Sequence, residues 1–233
     1  MKLNTKKIVK GFTLVELLVV IAIIAALAAL ATPVVLKQQK KASATEAVNN
    51  AKQMFILLFE FDQDNGGYPG SSLRSSAGLV SASSNGAFKE FLISSAIDTE
   101  EIFYAKTGWT TQPDGDIGVA PVYTQAMEAG ECGFQYIMAG ADDSFSTASP
   151  SGVPLVCTPG IDAALTCGEF NINAFGGKAV ILFNDGSCKS LAITEGATAG
   201  QGVVNITVAG APVDILTAGN TSLAAAPTIL PAL

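Results

Sequence analysis

Histidine is absent from the 233-residue chain, and arginine occurs once, at Arg74. Without imidazole there can be no His-based zinc site, no Ser-His-Asp triad and no Cys-His nucleophile pair. Positive charge is scarce as well: 13 Lys and Arg stand against 20 Asp and Glu, a net of −7. So acidic a chain has no footprint for phosphate backbones, and no nucleic-acid partner is expected. No C-x-x-C spacing exists, which removes four-thiolate zinc sites and dithiol redox motifs. No catalytic residue, metal or cofactor can be named. The low charged fraction (14% against 49% hydrophobic) also excludes disorder by composition. The length suits one ordinary domain.

What is present is concentrated near the start. Residues 1–11 hold Lys2, Lys6, Lys7 and Lys10 and no acid. Residues 17–31 form fifteen unbroken apolar residues, and residues 12–31 include only Thr13 and Glu16 as polar side chains. Twenty helical residues span roughly 30 Å, the thickness of a bilayer core. The lysines belong on the cytoplasmic side, which places the rest of the chain across the membrane. Three readings compete: a secretory signal removed after Ala29-Leu30-Ala31, an uncleaved anchor, or a leader removed before the apolar stretch. A carboxylate beside an apolar run costs a few kcal/mol in lipid, and the first two readings have no use for Glu16.

The run Gly11-Phe12-Thr13-Leu14-Val15-Glu16 followed by Leu17-Leu18-Val19-Val20-Ile21 resembles the signal of type IV pilins and type II secretion pseudopilins. The resemblance covers about the first 35 residues and includes Pro33. It implies cleavage by a prepilin peptidase after Gly11, N-methylation of the new N-terminal Phe12, and an assembly role for Glu16. In that family the glutamate is thought to pair with the ammonium created at residue 12. The implied partners are the peptidase, an inner-membrane assembly platform, the membrane and other copies of the chain. Losing four leader lysines would leave 9 basic against 20 acidic side chains, a net of −11.

After the apolar stretch, Pro33 predicts a kink and Lys37, Lys40 and Lys41 form a charged collar. The spacing Ala47, Ala51, Met54 or Phe55, Leu58, Phe61 then follows one helical face. Asp62-Gln63-Asp64-Asn65-Gly66-Gly67-Tyr68-Pro69 reads as a helix stop. A calcium loop fits it poorly, because Gly66 stands at a ligand position and no Glu closes the loop. One helix over residues 12–61 would be on the order of 75 Å long.

Residues 71–84 read as loop and 87–97 as a short helix. Strands are expected at 134–138, 152–156, 178–183, 188–191, 203–208 and 213–216, with Asn184-Asp185-Gly186-Ser187 as a hairpin turn. Residues 217–233 read as loosely held. Asp114-Gly115-Asp116 and Asp142-Asp143 are acidic candidates, read as turn carboxylates, although some pseudopilins hold calcium near their C-terminal strands. Asn205-Ile206-Thr207 and Asn220-Thr221-Ser222 fit a glycosylation pattern that is common by chance. Cys132, Cys157, Cys167 and Cys188 all follow the membrane segment, where two disulfides are expected. Three pairings are open; the working one is Cys157–Cys167 with Cys132–Cys188.

The expected fold is α+β and pilin-like, a long N-terminal helix packed on an antiparallel sheet. The expected organisation is a leader at 1–11, a helix at 12–61 (12–34 in the membrane and filament core), and a β-rich head at 62–233. The expected function is a structural subunit of a type IV pilus or type II secretion pseudopilus. It would lie in the bacterial inner membrane with its head outside the cytoplasm, then in a periplasmic or extracellular filament. The rival is a secreted or anchored enzyme or binding module with a similar export signal. The position at which the mature chain starts, Phe12, Thr32 or Met1, separates the readings.

Overall fold

The computed structural model describes residues 12–70, 83–94, 96–120, 123–140, 145–160, 169–196, 200–208, 211–217 and 228–230. By its internal contacts the chain divides into Met1–Gln39 and Lys40–Leu233. The long helix α1 spans Leu14–Asn65 and continues through Pro33. A proline within a helix removes one backbone donor and crowds the carbonyl four residues back.

Within Lys40–Leu233, α1 buries one stripe. Ala44, Ala47, Ala51, Met54, Leu58 and Phe61 recur every three or four residues, and all are buried. Small residues come first and large ones later, so the backbone can approach its neighbours closely over the alanines. Each fully buried Met, Leu or Phe here contributes about 1.5–3 kcal/mol by leaving water. The helix ends where the sequence stops favouring it: Gly66 takes φ +79° and its N–H closes on the Asp62 carbonyl at 2.7 Å.

The partner of that stripe is an antiparallel five-stranded sheet. Its strands are β1 (Gln135–Met138), β2 (Pro154–Thr158), β4 (Lys178–Phe183), β5 (Cys188–Ala192) and β10 (Thr228–Leu230), in the order β10-β1-β2-β4-β5. Two smaller antiparallel groups flank it. One joins β3 (Phe170–Asn171), β7 (Gln201–Val203) and β6 (Thr194–Glu195), and the other is the hairpin of β8 (Asn205–Val208) with β9 (Ala211–Asp214). Side chains alternate across the main sheet. Tyr136, Met138, Val156, Val180 and Leu182 share a cluster with α1, whereas Ile137, Cys157, Ala179, Ile181 and Phe183 pack with Phe170, Val204 and Ile215. Both faces are covered, which is why β4 reads as an almost unbroken apolar run rather than an alternation.

A short helix α2 (Ser84–Ile93) begins at Ser83, whose hydroxyl accepts the Gly86 N–H at 3.4 Å. It brings Phe88 and Phe91 against Phe103, Phe61 and Tyr136, with ring centroids 4.9 to 6.1 Å apart across the elements. The β4–β5 turn is the expected hairpin. Gly186 adopts φ +75°, and the Asp185 side chain accepts the Ser187 N–H at 2.8 Å. This turn also meets the end of α1. The Tyr68 hydroxyl donates to Asn184 Oδ1 at 2.6 Å, and Asn184 Nδ2 donates to the carbonyls of Ser146 and Ser149. Asp62 accepts the Thr147 hydroxyl at 2.5 Å, so the carboxylate at the helix end serves a structural bond.

Two expectations are corrected. Residues 228–230 are not loosely held, since Thr228–Leu230 pairs antiparallel with β1 from Met138 to Tyr136. The Cys132–Cys188 bridge is also absent, and both side chains are thiols. The sheet explains why. Tyr136 is in register with Val156, Val156 with Leu182 and Leu182 with Cys188. Cys188 thus lies three strands, about 14 Å, from β1, which Cys132 precedes, and a disulfide needs Cα atoms within about 7 Å. Cys157 Sγ donates to Gln135 Oε1 at 3.5 Å, while Cys167 lies outside the described residues.

Candidate functional site at the start of the long helix

Thr13 and Glu16 open α1 with a reciprocal set of hydrogen bonds. The Thr13 N–H and hydroxyl both donate to Glu16 Oε2, at 2.8 and 2.7 Å. The Glu16 N–H returns to Thr13 Oγ1 at 3.3 Å, and the Leu17 N–H reaches the Thr13 carbonyl at 3.3 Å. This is a capping box: a threonine at the N-cap and a glutamate three residues on satisfy each other's exposed donors. The Thr-x-x-Glu spacing before an apolar run is a helix-start pattern, yet Thr13 escapes notice when Glu16 is weighed only as an intramembrane acid.

From Phe12, two residues before α1, to Leu36 every large apolar side chain is exposed. Phe12 is 73% accessible and Leu30 75%, whereas Met54 and Leu58 in the later part of the same helix are at 0%. By length and composition the helix can cross a membrane. Lys37, Lys40 and Lys41 follow the apolar stretch. Gly11 and the rest of the leader lie outside the described residues, so Phe12 is the first residue of the site with a place in the structure.

The acidic candidates separate. Asp114 and Asp116 form successive turns, accepting the N–H groups of Asp116 and Gly118 at 2.8 and 3.0 Å. Carboxylate oxygens of Glu100, Asp114 and Glu131 also converge to within 4.8 Å of one another. Glu100 is fully buried and accepts the Met127 N–H at 2.8 Å and the Gly115 N–H at 3.2 Å. Burial, with the nearby charges of Glu131 and Asp114, raises its pKa against the lowering effect of those two bonds. Glu100 and Glu131 are not marked by any local motif, because only the folded loop unites them with Asp114. Asp142, Asp143 and Asn220 lie outside the described residues, and Asn205 opens β8.

Cys132 and Cys188 are not reactive thiolates. Burial pushes the Cys132 thiol up to about 12 and Cys188 to about 11, so neither is a thiolate at neutral pH.

Residues 6–32 match the model of the prokaryotic N-terminal methylation motif. The chain therefore carries the type IV pilin and pseudopilin signal, on a long helix that packs with antiparallel sheets in the α+β, pilin-like manner. Such a signal implies handling by a prepilin peptidase and pilus-type or pseudopilus-type assembly in general. No curated protein and no solved structure matches the chain.

Proposed function

We propose that this chain is a structural subunit of a type IV pilus or type II secretion pseudopilus. The observation that carries the reading is the methylation motif lying on a helix whose apolar side chains from Phe12 to Leu36 are all exposed. An apolar surface of that extent needs lipid or like helices around it. Residues 1–11 are then the leader, residues 12–34 the membrane segment and filament core, residues 35–61 the rest of the helix, and residues 62–233 the head. A prepilin peptidase cuts after Gly11, Phe12 is N-methylated, and subunits pass from the inner membrane, head outside the cytoplasm, through an assembly platform into a filament. Pro33 gives the membrane segment a weak point.

Glu16 has the central role. An ionised carboxylate in an apolar filament interior is strongly unfavourable unless it meets a positive group. Cleavage after Gly11 makes one, the ammonium of Phe12, and pairing it with the Glu16 of a neighbouring copy sets the axial step between subunits.

Intact mass of the mature protein tests the processing. A chain beginning at Phe12 and carrying one methyl group is expected, and a start at Thr32 or Met1 would overturn the reading. Gly11→Trp should insert in the membrane and remain uncut. Glu16→Val should insert better than wild type and fail to form filaments on its own. Normal filaments of the variant alone, counted by electron microscopy, would remove the carboxylate from assembly.

A further inference from the structure

The Thr13–Glu16 box answers a need that assembly does not create. The first N–H groups of any helix lack intrahelical partners, and lipid offers none. Thr13 sits at the N-cap and Glu16 at the third helical position, so two backbone donors at the start of α1, the N–H groups of Thr13 and Glu16, are met by the helix's own side chains. Phe12 and Leu17 occupy the two apolar positions that flank such a box, one before the cap and one at the fourth helical residue.

The two oxygens of Glu16 are used unequally. Oε2 takes both Thr13 donors, and Oε1 accepts no hydrogen bond among the described residues. An ionised carboxylate has about four acceptor sites, so capping and ammonium binding do not compete. We propose that Thr13 is the positioning residue for Glu16: its hydroxyl and amide fold the carboxylate onto the first turn of α1, close the helix end in the bilayer, and leave Oε1 for the Phe12 ammonium. This rests on the reading of Glu16 as the assembly carboxylate. It makes the hydroxyl at residue 13, rather than its bulk, the required feature. Serine can replace it and valine, nearly the same shape, cannot.

The test compares Thr13→Ser and Thr13→Val in the full-length chain. Both should be cut after Gly11. Thr13→Ser should assemble as wild type, and Thr13→Val should give about tenfold fewer filaments, the factor of one charge-assisted hydrogen bond. Amide hydrogen exchange of the purified mature chain in phospholipid nanodiscs supplies a second readout. Residues 13–16 should exchange faster in Thr13→Val and at the wild-type rate in Thr13→Ser. Wild-type filament numbers in Thr13→Val would overturn the proposal. So would a Thr13→Ser defect equal to that of Thr13→Val, a loss confined to cleavage, or unchanged exchange. A wild-type chain that does not start at Phe12 would instead defeat the functional reading, while exchange at residues 13–16 would still report on the box.

Discussion

One helix in this protein lives under two rules. Between Phe12 and Leu36 apolar side chains occupy every face, and all are exposed; from Ala44 to Phe61 one apolar stripe is buried, and Ile56 and Phe59 lie exposed outside it. Both stretches are helical for the same local reasons, yet their patterns record different surroundings. An all-round apolar surface has no preferred direction and suits lipid or a ring of like helices. A stripe has a direction and suits one sheet. The contrast teaches that helix propensity says little about α1, whereas the width of its apolar surface says where each stretch belongs.

The largest expected effect would break that contrast if it failed. Leu58→Ala should cost the head about 2–5 kcal/mol through lost burial and a cavity. Ile24→Ala, in the exposed stretch, should leave the thermal unfolding of the head unchanged in detergent. Equal losses would mean that the two stretches are not energetically distinct. Next, Asp62→Ala removes the acceptor of the Thr147 hydroxyl where the buried stripe ends, and should cost about 1–3 kcal/mol in denaturant titration. A smaller effect is expected at Cys188, which packs against the stripe's cluster as a thiol. Cys188→Ser should shift stability by no more than about 1 kcal/mol, whereas losing a disulfide costs about 2–5 kcal/mol.

The smallest effect sharpens the comparison through pH. Glu100 has a raised pKa because burial disfavours its charged form. Its stabilising contribution is therefore complete below the ordinary value of 4.5 and is lost as pH rises through the raised one. The melting temperature of the head should rise on acidification from pH 7 toward 5. The rise should shrink in Glu100→Gln, and an identical rise in both proteins would exclude Glu100 as the source. Half-buried Asp214 shifts in the same direction and contributes to both curves.

Much of the architecture could be read locally. The β4–β5 hairpin follows from an apolar run, an Asp-Gly turn and a second strand, and the helix stop follows from Asn65-Gly66. The capping box was equally legible, because Thr13 and Glu16 lie three residues apart. What escaped the sequence depends on distance along the chain. Thr228 reaches Met138 only through the sheet, and Glu100 meets Asp114 and Glu131 only once the intervening loop is in place. The Cys132–Cys188 pairing failed for a related reason. Spacing along the chain bounds loop length, but strand order decides which thiols approach, and the order β1-β2-β4-β5 keeps Cys132 from Cys188.

The pairing of β10 with β1 has a consequence in time. About ninety residues separate Met138 from its partner Thr228, so β1 keeps an open edge until β10 has been synthesised and docked. An open edge is a template for any extended segment, including the same strand of a neighbouring copy. Long-range pairings of this kind also form late, because closing the loop must precede its reward. Copies of the chain made close together would share that vulnerable interval. The last strand to join the sheet is thus a seal on the open edge of β1.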